Sequence, residues 1–485
     1  MSSELDAIVI GAGFGGLAAA IKLRQAGFRN LLVLEKADRL GGTWRDNTYP
    51  GAACDVPSRL YSYSFALNPR WSRAYSGQAE IRQYMEDCAD RFGVREHLRF
   101  NTEVERADWD EAAGLWRVSI KGGGVVSAPV LVSALGQLNR PHFAGIPGRE
   151  KFKGDSWHSA RWNHDVDLTG KTVACIGSGA SAIQYIPEVA KTAGKVLIFQ
   201  RTPNYIVPRL DKPTPPWLQR LYAAVPLVDR LFRHVIWQLM DWRFRAFKRG
   251  TKSAENFRKL ALGYLEKEIP DPELRAKLTP NYPIGCKRIL ISDDYYAALR
   301  RDNVELITEA VAEITPDGVK TADGREHAAD VLVYGTGFDT THFLAPLEIH
   351  GVGGRTLTEA WKDGAEAYLG VTVSGFPNLF MLYGPNTNLG HNSIIVMIEA
   401  QADYIVKMMR ELRRRRARAV DVKPAAFSDF NVRLQKDLES TAWAGECSSW
   451  YKTASGKITN NWSDDTATYR KRTAAPNFDD YAFAA

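Results

Sequence analysis

The sequence predicts an α/β fold built from two strand, turn and helix units, and three observations lead there. The chain has 485 residues, 45% hydrophobic and 25% charged, which is a length for two or more domains and a composition too apolar for disorder. A short apolar run, Ala7 to Ile10, leads directly into Gly11-Ala12-Gly13-Phe14-Gly15-Gly16 and a helical pattern from Leu17 to Gln25. The same order recurs at Thr172 to Ile176, followed by Gly177-Ser178-Gly179-Ala180-Ser181-Ala182 and a helix starting near Ile183.

Each unit reads as a Rossmann-like dinucleotide-binding domain. In the first, Gly11 permits the tight turn, Gly13 lets the backbone approach a pyrophosphate, and Gly16 allows close packing of helix on strand, with the helix N-terminus facing the anion. A second apolar strand, Leu31 to Leu34, ends in Glu35, placed to accept hydrogen bonds from a ribose diol. An isolated glycine turn of this kind is often only flexible; here the strand, the helix and the acid decide for binding. In the second unit Gly177, Gly179 and Ser181 are the cofactor-binding positions of the turn, and Ala182 takes the place of the third glycine. Its next strand, Lys195 to Gln200, ends in Arg201-Thr202, a cation and a hydroxyl suited to a 2′-phosphate, so this unit selects NADPH over NADH. The competing reading of Arg201 is an ordinary surface arginine.

Two more apolar runs end in glycine: Val130 to Leu135 before Gly136, and Asp330 to Tyr334 before Gly335-Thr336-Gly337-Phe338. Both are taken to close the first unit. The economical arrangement is an FAD-binding domain of residues 1–145 and 330–485, interrupted by an NADPH-binding domain of residues 146–329 that carries a helical insertion at about 210–280.

Composition excludes other classes. The net charge of +7, from 63 basic and 56 acidic residues, is spread too thinly to define a nucleic-acid partner. Five cysteines without a CxxC pair or a Cys/His ligand spacing suggest neither a disulfide framework nor a metal site, and point to a reducing compartment. The N-terminus runs into its first strand without room for a leader, and no run of 18 apolar residues occurs, so a cytoplasmic location is expected.

Longer motifs resemble a known family. Gly41-Gly42-Thr43-Trp44, continuing through Tyr49-Pro50-Gly51 to Asp55, is similar to the long fingerprint of type I Baeyer-Villiger monooxygenases. Phe152-Lys153-Gly154, continuing through His158 to Trp162, resembles their shorter fingerprint and lies, as in that family, between the two glycine turns. The resemblance covers residues 8 to about 460. Asn163 departs from it, standing where the family usually has Pro or Asp.

This resemblance implies an enzyme that uses NADPH, FAD and O₂ to convert a ketone into an ester or lactone through a C4a-peroxyflavin. It implies that Arg288 is catalytic, that Lys287 joins Arg201 and Thr202 on the NADPH phosphate, and that Trp450 contacts the nicotinamide cofactor and closes the site. Thr43, Trp44, Tyr61 and Asn386 join the flavin-contacting set, Asn386 from a loop whose Asn and Ser residues can cap the helix that follows it. A permanently charged guanidinium suits the negative charge that develops in such a reaction, and Asp55 would orient and balance it. His158 and Trp162 are read as linker and domain-closure residues. The segment from Lys287 to Tyr296 resembles the branch that includes aryl-ketone, 4-hydroxyacetophenone-type monooxygenases. Two alternatives stand beside this reading: a flavin monooxygenase oxidising N or S heteroatoms, and a non-oxygenating flavin reductase or electron-transfer protein.

Between Trp217 and Phe247 apolar residues recur every three or four positions among several arginines, with Pro226 breaking the run into two helices. The favoured reading is an insertion packed on the NADPH domain; the alternative is contact with an anionic membrane surface. The six arginines between Arg410 and Arg418 read as the solvated end of a helix. Oligomeric state is left open by the sequence.

Overall fold

A computed structural model describes residues 4–447 and 449–485. Two five-stranded parallel sheets organise it. The first has the order Leu379–Met381, Leu131–Ser133, Ala7–Ile10, Leu31–Leu34, Leu98–Arg99. Its central strands, AIVI and LLVL, are apolar at every position, as strands covered on both faces must be. One face is covered by the helix Phe14–Gln25 and the helix Ile394–Arg415, which share one core.

The second sheet has the order Val304–Ile307, Lys195–Phe199, Thr172–Ile176, Val331–Tyr334, Asp155–His158. This corrects one expectation. Val331–Tyr334 does not close the first unit; it pairs in parallel with Val173–Ile176 and with Asp155–His158. An apolar run ending in glycine says that a strand is buried and its loop tight, and nothing about which neighbour it finds. The chain therefore returns to the first unit after Tyr334 rather than at residue 330.

A sheet of Glu348–His350, Val104–Asp110, Leu115–Ile120 and Val125–Ala128 flanks the first unit, and a three-stranded meander over Val311–Ala328 flanks the second. The insertion consists of the helices Pro216–Ala224, Pro226–Trp242, Lys252–Glu268 and Pro272–Leu278. Pro226 separates the first two, with Val225 in a non-helical conformation. Contrary to expectation, the helix Pro226–Trp242 packs on the first unit: Trp237 and Met240 cluster with Leu60 and Val396, and Asp229 pairs with Arg59 at 2.5 Å in a buried site. At its end, Asp241 accepts hydrogen bonds from Asn392 and from the backbone and hydroxyl of Thr466, the first residue of the helix Thr466–Thr473, whose own cap is Asp465. Burial opposes charge on Asp241, but those donors, together with His391, outweigh it and lower its pKa to about 2.

The arginine run ends the helix Ile394–Arg415 and is held locally. Arg414 and Arg415 pair with Glu411, Arg413 with Asp6, and Arg416 takes the left-handed conformation that terminates the helix.

Candidate functional site

Both glycine turns open onto one cleft of about 700 Å³. Gly11 has φ 101° and Gly177 φ 102°, so each turn uses the left-handed conformation for which glycine is suited. Of the sequence-derived positions, the cleft is lined by Gly11, Gly13, Glu35, Thr43, Trp44, Asp55, Tyr61, Gly179, Ser181, Arg201, Lys287, Arg288 and Trp450. Residues from both sheets and from the C-terminal segment therefore face a common space.

At the first strand's end, Glu35 is only 5% exposed. Its carboxylate accepts the Ala12 and Ala37 amides at 2.9 and 3.0 Å and Arg45 Nη1 at 2.8 Å. Three donors fix its orientation with the carboxylate still on the cleft wall, which fits the ribose of a dinucleotide whose pyrophosphate lies on the glycine turn. Thr43 opens a short helical turn, Trp44 donates its indole N–H to the Tyr61 hydroxyl at 3.0 Å, and Tyr61 packs edge-on against Phe14 just past the turn.

At the second strand's end, Arg201 and Lys287 face the same region. Burial and the nearby Arg201 guanidinium lower the pKa of Lys287, and among the described residues neither cation has an acidic partner within ion-pair distance. Two neighbouring cations without a counter-ion fit a phosphate monoester. Thr202 is half-buried and lies off the cleft wall.

Between these ends sits the pair expected to carry the chemistry. Arg288 Nε donates to Asp55 Oδ2 at 3.0 Å, and Nη2 donates to the same oxygen. Asp55, above all, raises the Arg288 pKa further above its ordinary value, against the opposing effect of burial. Each side chain keeps 30% exposure, towards the cleft both line. The hydroxyls of Tyr451 and Tyr383 also act on Arg288. Burial pushes the Tyr451 hydroxyl up to about 12, with Arg288 pulling the other way.

Other expected residues lie elsewhere. Gly16 packs behind its turn, where a Cβ would run into the Gly11 carbonyl oxygen, and Gly177 forms the second turn off the cleft wall, close against the Gly335 carbonyl. Asn386 is buried and spends its amide on the Ile458 and Asn461 carbonyls, while its loop neighbours Asn388, Leu389 and Asn392 line the cleft. Ser393 caps the helix that follows, accepting from the Ile395 amide at 3.3 Å. His158 bridges the crossing between the units, with Nε2 donating to the Gly337 carbonyl at 2.9 Å and Nδ1 accepting the Ala160 amide at 3.1 Å. Burial lowers its pKa to about 4, and neither nitrogen is free for proton transfer. Trp162 packs against Trp157 and Tyr185 in the second core. Asn163 serves as a turn residue, accepting the Asp165 amide at 3.0 Å, a bond its side-chain oxygen makes as an aspartate's would.

The structure also shows what the sequence reading missed. Arg45, Gln184 and Tyr383 line the site, and of these only Arg45 had a signal, lying inside the Gly41 to Asp55 motif. The expectation of no disulfide is corrected: Cys286 is joined to Cys447 across 161 residues, with Cα atoms 6.3 Å apart. Spacing rules see only local pairs, and this one exists because the fold brings two distant loops together. It ties the Lys287-Arg288 segment to the segment that carries Trp450. The other cysteines, Cys54, Cys88 and Cys175, are buried and free.

Comparison with known proteins agrees with this geometry. Residues 8–222 match the family described as pyridine nucleotide-disulphide oxidoreductase. A Baeyer-Villiger monooxygenase of Streptomyces coelicolor is 45% identical over 475 residues, 98% of this chain and 91% of that protein. A second, from Pseudomonas aeruginosa, is 41% identical over 98% of this chain and 90% of its own length. Among solved structures, that of OTEMO in complex with FAD and NADP superposes with a TM-score of 0.90 at 30% identity, covering 99% of both chains. Near-complete coverage at this identity, with both glycine turns and the Asp55 and Arg288 pair on one cleft, establishes that the chain belongs to the Baeyer-Villiger monooxygenase family.

Proposed function

We propose that this chain binds FAD at the first glycine turn and NADPH at the second, and oxidises a ketone to an ester or lactone with O₂. Written in full, ketone, O₂, NADPH and a proton give ester, NADP⁺ and water. FAD, when bound, supplies the acceptance of hydride and the activation of dioxygen. The protein's own residues bind, orient and stabilise charge. Glu35 holds the flavin nucleotide's ribose, and Trp44 and Tyr61 wall its turn. Arg201 and Lys287 take the NADPH phosphate, with Ser181 at the second turn.

The observation that carries the reading is the Asp55 and Arg288 pair placed on the same wall as both nucleotide ends. Arg288 would hold a fixed positive charge beside the reacting oxygen, where negative charge grows during oxygen transfer. Asp55 sets its direction and offsets its charge while the site is empty of substrate. The Trp450 segment excludes water once the nicotinamide is seated. The heteroatom-oxidising and reductase alternatives are set aside by the family relationship.

Arg288→Ala tests the assignment. The variant should keep its flavin and its NADPH-driven flavin reduction while ester formation falls by about 10²- to 10³-fold or more. ¹⁸O₂ should place one labelled oxygen in the ester of the wild type. Ester formed by the variant at near wild-type rate would refute the role of Arg288.

A further inference from the structure

The helices Pro216–Ala224 and Pro226–Trp242 carry apolar residues on two faces. The inner face is satisfied by the first unit through Trp237, Met240 and the Arg59 and Asp229 pair. The outer face is not. Leu227, Leu231, Leu239 and Trp242 are 72%, 62%, 59% and 60% exposed, Val235 is exposed beside them, and Trp217 on the preceding helix is 64% exposed. At 3.6 residues per turn, positions 227, 231, 235, 239 and 242 fall within an arc of about 120°, so they form one stripe. A contiguous exposed apolar stripe marks an interaction surface, unlike scattered single residues.

The charge around the stripe says what covers it. Residues 216–249 contain seven arginines and lysines and only two acidic residues, Asp229 and Asp241. Both aspartates are buried and engaged inward. Arg220, Arg230, Arg243 and Arg245 are exposed; Arg230 lies on the helix about 60° from the Leu227 edge of the apolar arc, and Arg243 directly follows the helix's last residue. The outward face of these two helices is therefore apolar along its ridge, interrupted by Gln238, and the exposed charges of its own residues are all cationic. A second copy of this chain docked through the same face would oppose arginine to arginine, since a two-fold contact sets a surface against itself. A lipid surface meets both requirements at once: acyl chains take the leucines and tryptophans, and anionic headgroups take the arginines. No helix among the described residues is long and apolar enough to cross a membrane, so this contact is interfacial.

We propose that the outer face of these two helices docks the enzyme onto an anionic lipid bilayer. The test is flotation of the full-length, FAD-loaded chain with vesicles of phosphatidylcholine alone or of phosphatidylcholine with phosphatidylglycerol. Wild type should float with the anionic vesicles at low salt, remain below with the neutral ones, and be released as salt rises. Leu231→Ser with Leu239→Ser, and separately Arg230→Glu with Arg243→Glu, should each lower the floated fraction about tenfold. All four positions lie outside the catalytic cleft, so both variants should keep their flavin absorbance and their NADPH oxidation in solution. Absence of flotation at low salt overturns the proposal, as does flotation unchanged in both double variants. A dimer of the wild type that is lost in Leu231→Ser with Leu239→Ser, without flotation, also overturns it and makes the face a contact between copies.

Discussion

Gly11 and Gly177 turn the chain with nearly the same φ, 101° and 102°, each at the end of a buried parallel strand. Beyond that point the two units diverge. The first helix starts at Phe14, three residues after its glycine; the second starts at Ala182, five residues after. At Gly16 there is no room for a methyl group, whereas the Ala182 methyl is a buried member of the second core. The next strand ends in a buried carboxylate with three donors in one unit, and in an exposed guanidinium with a second cation nearby in the other. The shared turn brings backbone amides to a pyrophosphate; the end of the neighbouring strand selects which nucleotide follows.

The sharpest break in this comparison is Gly16→Ala against Ala182→Gly. The first forces a methyl into the Gly11 carbonyl and should cost about 3 kcal/mol or more, seen as loss of bound flavin and a lowered melting temperature. The second should cost under about 1 kcal/mol and leave NADPH oxidation intact. Equal effects would show that the turns are not differently packed.

The seam between the units gives the next effect. The His158 imidazole is neutral in the fold because burial lowers its pKa from 6.5 to about 4. Below pH 6.5 the unfolded chain binds a proton that the folded one refuses, so this contribution is complete above pH 6.5 and is lost as pH falls towards 4. Its full size is on the order of 3 kcal/mol. Denaturant midpoints measured across that range should fall for wild type, and fall less for His158→Gln. Parallel curves would remove His158 as the titrating group.

The smallest expected effect concerns nucleotide choice. Arg201→Ala should raise KM for NADPH by about 10- to 100-fold, the loss of one charge-assisted contact, and leave the weak use of NADH unchanged. A variant that discriminates as wild type does would assign the phosphate to Lys287 alone.

Much of the fold was legible because its signals are local. The strands Ala7–Ile10 and Thr172–Ile176, the glycine turns, and the break at Pro226 follow from short uninterrupted apolar runs, from backbone permissiveness and from an apolar period of 3.6. The Gly41 to Asp55 motif and the pair Lys287-Arg288 named residues that the structure brings to one cleft. The loop of Asn386 points to the flavin, yet the Asn386 amide is spent on carbonyls more than 70 residues away.

Two nucleotide-binding units and the chemical types at their strand ends follow from local sequence, because glycine conformations, short apolar runs and single charges act within a few residues of where they stand. That Val331–Tyr334 joins the second sheet, that Cys286 meets Cys447, and that the apolar stripe of Pro226–Trp242 faces outward are visible in the folded chain alone. Each of these is a choice among partners distant along the chain, and such a choice is made by the packing of the whole core.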